Sequence, residues 1–145
     1  MILVDCPVDT RLTQSVVAAR WNVHISNTPE KARVTLERHR FHVGLAILDT
    51  CNGGRIPSWI EDIINAQENI KWVQVLPRDC LKSPRIARLI TNRCYDYHSL
   101  PIDPQRLMAT LGHANGMAEL AEQVGESSLD ANARRQIVGG GVNGY

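Results

Sequence analysis

Six consecutive residues, Val43-Gly44-Leu45-Ala46-Ile47-Leu48, carry no polar side chain, and Asp49 closes the run. A strand with one wet face alternates polar and apolar residues, so an unbroken apolar strand is covered on both faces, as at the centre of a parallel sheet. Parallel neighbours need long crossover connections, usually helices. The run therefore points to an α/β layer architecture before the rest of the chain is read.

The remaining apolar pattern agrees. Ile2-Leu3-Val4 reads as a first strand, and from about Thr10 the residues Leu12, Val16, Val17 and Arg20 follow helical spacing. Asn22–Ser26 is a second strand. Thr28-Pro29 then opens a helix to about His39, Thr28 as a cap and Pro29 in the first turn, where its missing donor is not needed. After the Val43–Leu48 strand, Ile60, Ile63 and Ile64 mark a helix beginning near Pro57-Ser58. Lys71–Leu76 is a fourth strand whose ladder Pro77 ends, Ser83-Pro84 repeats the cap-then-proline start before Ile86, Leu89 and Ile90, and Cys94–His98 is a fifth strand. Asp103-Pro104 opens the last helix, with Leu107, Met108, Leu111, Met117 and Leu120 as its apolar stripe; Gly112 and Gly116 weaken it by about 1 kcal/mol each relative to Ala and either permit close helix approach or kink it.

Five strands alternating with five helices predict a flavodoxin-like, doubly wound parallel sheet of order 2-1-3-4-5 with helices on both faces. At 145 residues and 43% hydrophobic content, the chain suffices for one domain with its own core. That domain should span residues 1–124. From Gly125 the apolar period fades, and residues 125–145, with Gly139-Gly140-Gly141, read as a flexible linker.

Charge and cysteine content exclude several classes of function. Sixteen basic residues against fifteen acidic ones leave no electrostatic footprint for nucleic acid or a membrane surface. No stretch is apolar enough to span a bilayer, and Met1–Asp5 turns acidic too soon for a signal peptide, so a cytoplasmic location is expected. Cys6, Cys51, Cys80 and Cys94 form no C-x-x-C pair and are scattered, which suits reduced thiols.

In open α/β sheets, ligands and chemistry gather at the carboxyl ends of the strands. Asp5 follows the first strand, Asp49 the third, Pro77-Arg78-Asp79-Cys80 the fourth and Ser99-Leu100-Pro101 the fifth. Asp5 and Asp49 lie after neighbouring strands, where a carboxylate pair can hold a hard cation such as Mg²⁺ and one member can accept a phosphoryl group. Capping of the following helices is the plainer role for both. Cys6, Cys51 and Cys80 share this edge, as a thiol or metal site would require, but isolated buried cysteines explain them as simply. Tyr95, Tyr97, His98 and His113 read as packing and polar satellites.

The order of Asp5, Asp49 and Pro101 along the βα units resembles the receiver domains of two-component response regulators, over about residues 1–122. The resemblance implies Asp49 as the phosphoacceptor, Mg²⁺ held by Asp5 and Asp49, a histidine kinase as phosphoryl donor and a cis Leu100-Pro101 bond. It also has departures: Cys6 replaces a second acid, Leu76-Pro77 stands where a Thr or Ser is usual, and Leu100 replaces a Lys. These remove groups that bind Mg²⁺ or neutralise phosphoryl oxygens.

Tyr95–Asp103 and Leu111–Ala118 further resemble the N-terminal regulatory domain of VpsR-type, sigma-54-dependent activators of the NtrC class. That family implies a following AAA+ ATPase domain and a helix-turn-helix domain, and some members respond to cyclic di-GMP and control exopolysaccharide and biofilm genes. This segment has no Walker A pattern and is expected to be a regulatory domain, not an enzyme. Receivers commonly dimerise through their last helical face, which here nominates Leu107, Leu111, Met117 and Leu120 for a homodimer.

Overall fold

The computed structural model of the chain describes residues 2–5, 21–51 and 54–137, with residues 2–5 and those after 125 described as backbone only. Strands β1 (Ile2–Asp5), β2 (His24–Ser26), β3 (Val43–Ile47), β4 (Lys71–Pro77) and β5 (Cys94–Leu100) lie in the order β2-β1-β3-β4-β5, and every pairing is parallel. Helices α1 (Pro29–Arg38), α2 (Ser58–Ala66), α3 (Pro84–Arg93) and α4 (Pro104–Ile137) accompany them, with a 3-10 turn over Arg78–Lys82 between β4 and α3. The helix expected from about Thr10 lies outside the described residues.

Three of these four helices, α1, α3 and α4, begin where side chains satisfy free backbone donors. Thr28 Oγ1 accepts from the Lys31 N–H at 3.2 Å, Ser83 Oγ from Ile86 at 3.4 Å, and Asp103 Oδ1 from Gln105 and Arg106 at 3.0 and 3.3 Å. A proline follows each of these caps, as the sequence pattern required.

β3 is the centre of the core, and each of its five residues is buried. Val43, Leu45 and Ile47 join Val73 and Val75 of β4 on one face, covered by Leu107, Leu111 and Ala114 of α4. Ala46 and the following Leu48 join Trp72 and Leu76 on the other, beneath Ile60 and Ile64 of α2 and Ile86, Leu89 and Ile90 of α3. This two-sided burial is the physical reason the run contains no polar residue. Gly44 is in register with Trp72, whose indole occupies the space a side chain there would need.

α4 departs from the sequence reading. It continues without interruption to Ile137, past Gly125, so the part of the 125–145 segment that is described is helix and not coil. The chain after Pro104 contains no proline, and Glu126, Leu129, Ala131, Ala133, Arg134, Arg135 and Gln136 are helix-compatible residues. Gly112 and Gly116 do not break the helix, and among the described residues nothing lies within 4 Å of where a Cβ would stand at either.

The reading of all four cysteines as reduced thiols is also overturned. Cys51 and Cys80 form a disulfide, with Cα atoms 5.9 Å apart. Their separation of 29 residues hides the pairing in sequence, but β3 and β4 are neighbours, so the loops that leave them meet. Cys94 is free, and burial pushes its thiol up to about 12, well above the range in which a thiolate forms at neutral pH.

Candidate functional site

The candidate site occupies the edge where the parallel strands end. Asp5 pairs with Ile47 across β1 and β3, and Asp49 follows Ile47 after the single residue Leu48. The Leu48 N–H donates to the Val75 carbonyl at 2.8 Å, so the ladder holds the backbone up to the residue before Asp49. Leu48 is buried and Asp49 exposed. A rigid, apolar strand thus delivers one carboxylate to solvent at its tip, the setting in which an acid is both fixed and accessible to a reactant.

The wall beside Asp49 is built by the end of β4. Leu76 is fully buried, Pro77 pairs with Leu100 of β5, and the chain turns at once into the 3-10 segment that carries Cys80. Leu76 and Pro77 supply no hydroxyl to this wall. Leu100 packs with the Leu107 and Leu111 cluster, so it supplies no cation, and the Leu100-Pro101 bond is cis as expected.

Among the described residues, two links bind the loop after β3 to the segment after β4. One is the Cys51–Cys80 disulfide. The other is Ser83 Oγ, which donates to the Gly54 carbonyl at 2.7 Å while it also caps α3. Gly54 has φ +68°, a left-handed conformation in which a side chain would be strained, and a Cβ there would meet Ser83 at 3.2 Å. Sequence reasoning placed Cys51 and Cys80 on this edge without pairing them. It missed the Gly54–Ser83 bond, whose only sequence signals are a glycine in the loop and a cap serine.

Mg²⁺ needs few protein oxygens, because it usually keeps several waters and takes one or two carboxylates. An exposed Asp49 and an Asp5 in register at the same edge suit that donor count. Among the described residues, no group of three or more His, Cys, Asp and Glu is placed to hold a metal ion. The three-residue thiol site considered for this edge has its third member, Cys6, outside the described residues.

The nominated dimer residues divide into two kinds. Leu107 and Leu111 are completely buried against the sheet, so they are core and cannot form an interface. Met117 and Leu120 are 41% and 53% exposed, and Val124, unnoticed in sequence, is 54% exposed. The stripe divides by helical face: Leu107, Leu111, Ala114 and Ala118 recur on the buried face of α4, and Ala118 is still buried beyond Met117, whereas Met117 and Leu120 fall on another face. The polar residues of β5 anchor those first turns: His98 Nε2 lies 2.8 Å from Thr110 Oγ1, and the Tyr95 hydroxyl bonds to His113 Nδ1.

Residues 2–112 match the VpsR domain family. The chain belongs to that family. No curated protein matches it in sequence. Solved structures similar to this VpsR domain include NtrX from Brucella abortus (TM-score 0.68, 14% identity, covering 86% of this chain and 28% of that one). The isolated receiver domain of the same NtrX is also similar (TM-score 0.64, 13% identity, 79% and 97% covered). So is a CheY-like response regulator receiver domain protein from Methanospirillum hungatei JF-1 (TM-score 0.62, 18% identity, 83% and 94% covered). Identities this low establish the fold, an α/β receiver fold of the CheY type. The VpsR domain is an atypical receiver, and it covers little more than a quarter of the length of that first NtrX chain. Among its described residues, no helix is long and apolar enough to cross a membrane.

Proposed function

We propose that this VpsR domain is the N-terminal regulatory domain of a sigma-54-dependent transcription activator, built on five βα units, and that Asp49 is its phosphoacceptor. The supporting observation is the placement of Asp49, exposed immediately beyond a fully buried β3, in a chain whose residues 2–112 match the family. In this reading Asp5 and Asp49 bind Mg²⁺, a cytoplasmic histidine kinase or a small phosphodonor supplies the phosphoryl group, and the domain has no enzymatic turnover of its own. The output is dimerisation through the exposed Met117, Leu120 and Val124 of α4, which carries the change toward an AAA+ domain.

A second reading rests on Leu76, Pro77 and Leu100, which provide neither hydroxyl nor cation around Asp49. Here the domain is a phosphorylation-independent interaction module that positions the AAA+ domain of a cyclic di-GMP-responsive regulator of biofilm and exopolysaccharide genes. Incubation with Mg²⁺ and acetyl phosphate or beryllofluoride, followed by intact mass and light scattering on wild type and Asp49→Ala, separates the two. Uptake that is lost in the variant supports the first. A dimer that forms without uptake and is unchanged by Asp49→Ala supports the second.

A further inference from the structure

We infer that Cys51–Cys80 is a reversible thiol–disulfide site that clamps the phosphoacceptor loop to the end of β4 and releases it on reduction by a dithiol. The inference rests on Asp49 as phosphoacceptor only for its functional consequence; the clamp itself stands on the covalent structure.

The bond is placed where it restrains the candidate site and little else. Cys51 comes two positions after Asp49, and Cys80 sits in the 3-10 turn that directly follows β4. Away from this edge β3 and β4 are already held by their ladder, so a crosslink there would add no restraint. Beyond the ladder, the Ser83–Gly54 hydrogen bond is the other link found among the described residues between the two segments. Such a bond exchanges with water once the disulfide opens, because one hydrogen bond contributes little net restraint to a solvent-facing loop.

The two cysteines are unequally exposed, which favours attack at Cys51. Cys80 is fully buried within the α2–α3 core cluster, whereas Cys51 is half-buried at its margin. A thiolate of the dithiol attacks Cys51 Sγ, the sulfur–sulfur bond breaks, and Cys80 leaves as a thiolate that takes up a proton. The dithiol's second thiol loses its proton and attacks the mixed disulfide, releasing Cys51 as a thiolate that is protonated in turn. Two electrons and two protons pass to the protein, and the reductant departs as its own disulfide. In a reducing compartment, a persistent disulfide is most often a sensing or catalytic one. Sensing is the role inferred for this pair.

The test uses the 145-residue chain, oxidised or treated with excess dithiothreitol, with alkylation mapped by peptide mass and amide exchange followed over residues 48–51 and 78–83. Expected are Cys51 and Cys80 protected from alkylation until reduction, restored protection on reoxidation, and exchange in both segments about tenfold faster in the reduced protein. Cys51→Ser, at the half-buried position, should show the fast exchange with or without reductant. Cys94, half-buried and with its thiol pushed up to about 12, is the internal control whose slow alkylation should not change between the two states. Acetyl phosphate uptake at Asp49 should be faster in the reduced protein and in Cys51→Ser than in the oxidised one. Free alkylation of both cysteines without reductant, a disulfide that survives the dithiol in the folded protein, or exchange identical in the two states would each overturn the clamp. Equal phosphoryl uptake in both states overturns its control of Asp49. Absent uptake in both, with the exchange difference intact, removes the phosphoacceptor reading and leaves the clamp.

Discussion

Gly44→Ala tests how β3 is held beneath the site. The added Cβ would lie 2.4 Å from Trp72 Cε3 and Cζ3 and 2.9 Å from Cδ2. Carbon atoms in contact rest about 3.5–4.0 Å apart, so the indole must retreat by about 1 Å or β3 and β4 must separate. Neither motion is easy: Trp72 is 1% exposed, and its Nε1–H donates to the Gln67 carbonyl at 3.4 Å. Overpacking of this kind costs about 1–3 kcal/mol, and the reduced freedom of the unfolded chain returns about 0.4–1 kcal/mol. The clash is at the severe end, so a net loss of about 2 kcal/mol is expected. At roughly 3–5 °C per kcal/mol for a domain of this size, Tm should fall by about 6–10 °C. Urea unfolding and thermal melts on the oxidised chain read the loss directly. In a Trp72→Leu background the same substitution should cost much less, which isolates the contact as its cause. Wild-type stability in Gly44→Ala, or an equal loss in both backgrounds, would refute the packing described here.

Leu111→Ala should lose about 2–5 kcal/mol in urea unfolding, because a fully buried residue leaves a cavity, whereas Leu120→Ser should stay within about 0.5 kcal/mol and instead lower the dimer fraction in light scattering. Ser83→Ala removes both the α3 cap and the bond to Gly54, and should cost about 1–2 kcal/mol by the same assay. Burial, and then the neighbouring His39 with its ring 4.4 Å away, hold the His24 imidazole below its ordinary value. The unfolded chain therefore takes up this proton first, and stability falls as pH drops from about 6.5 through the folded value. Urea midpoints for wild type and His24→Gln should differ in their slope across that window and run parallel above it.

The frame was legible because apolar pattern and cap chemistry are local. The buried run at Val43–Leu48, the caps at Thr28, Ser83 and Asp103 and the prolines that follow them all appear where the residues placed them. What escaped depends on contacts between distant segments. Cys51 and Cys80 are brought together by strand adjacency and not by spacing, and the fate of Leu107 and Leu111 was decided by which face of α4 lies over the sheet. One apolar stripe looks the same in sequence whether it faces a core or a partner; burial separates Leu111 from Leu120. The helix past Gly125 was missed for a related reason. Loss of amphipathic period signals loss of a packing surface, but a helix already begun continues through compatible residues without one.

The most direct test of the central claim is intact mass of the reduced chain after Mg²⁺ and acetyl phosphate, beside Asp49→Ala treated alike. The expected result is a gain of one phosphoryl group in wild type, removed by hydroxylamine and absent from the variant. An unchanged wild-type mass, or equal gain in Asp49→Ala, would contradict Asp49 as the phosphoacceptor.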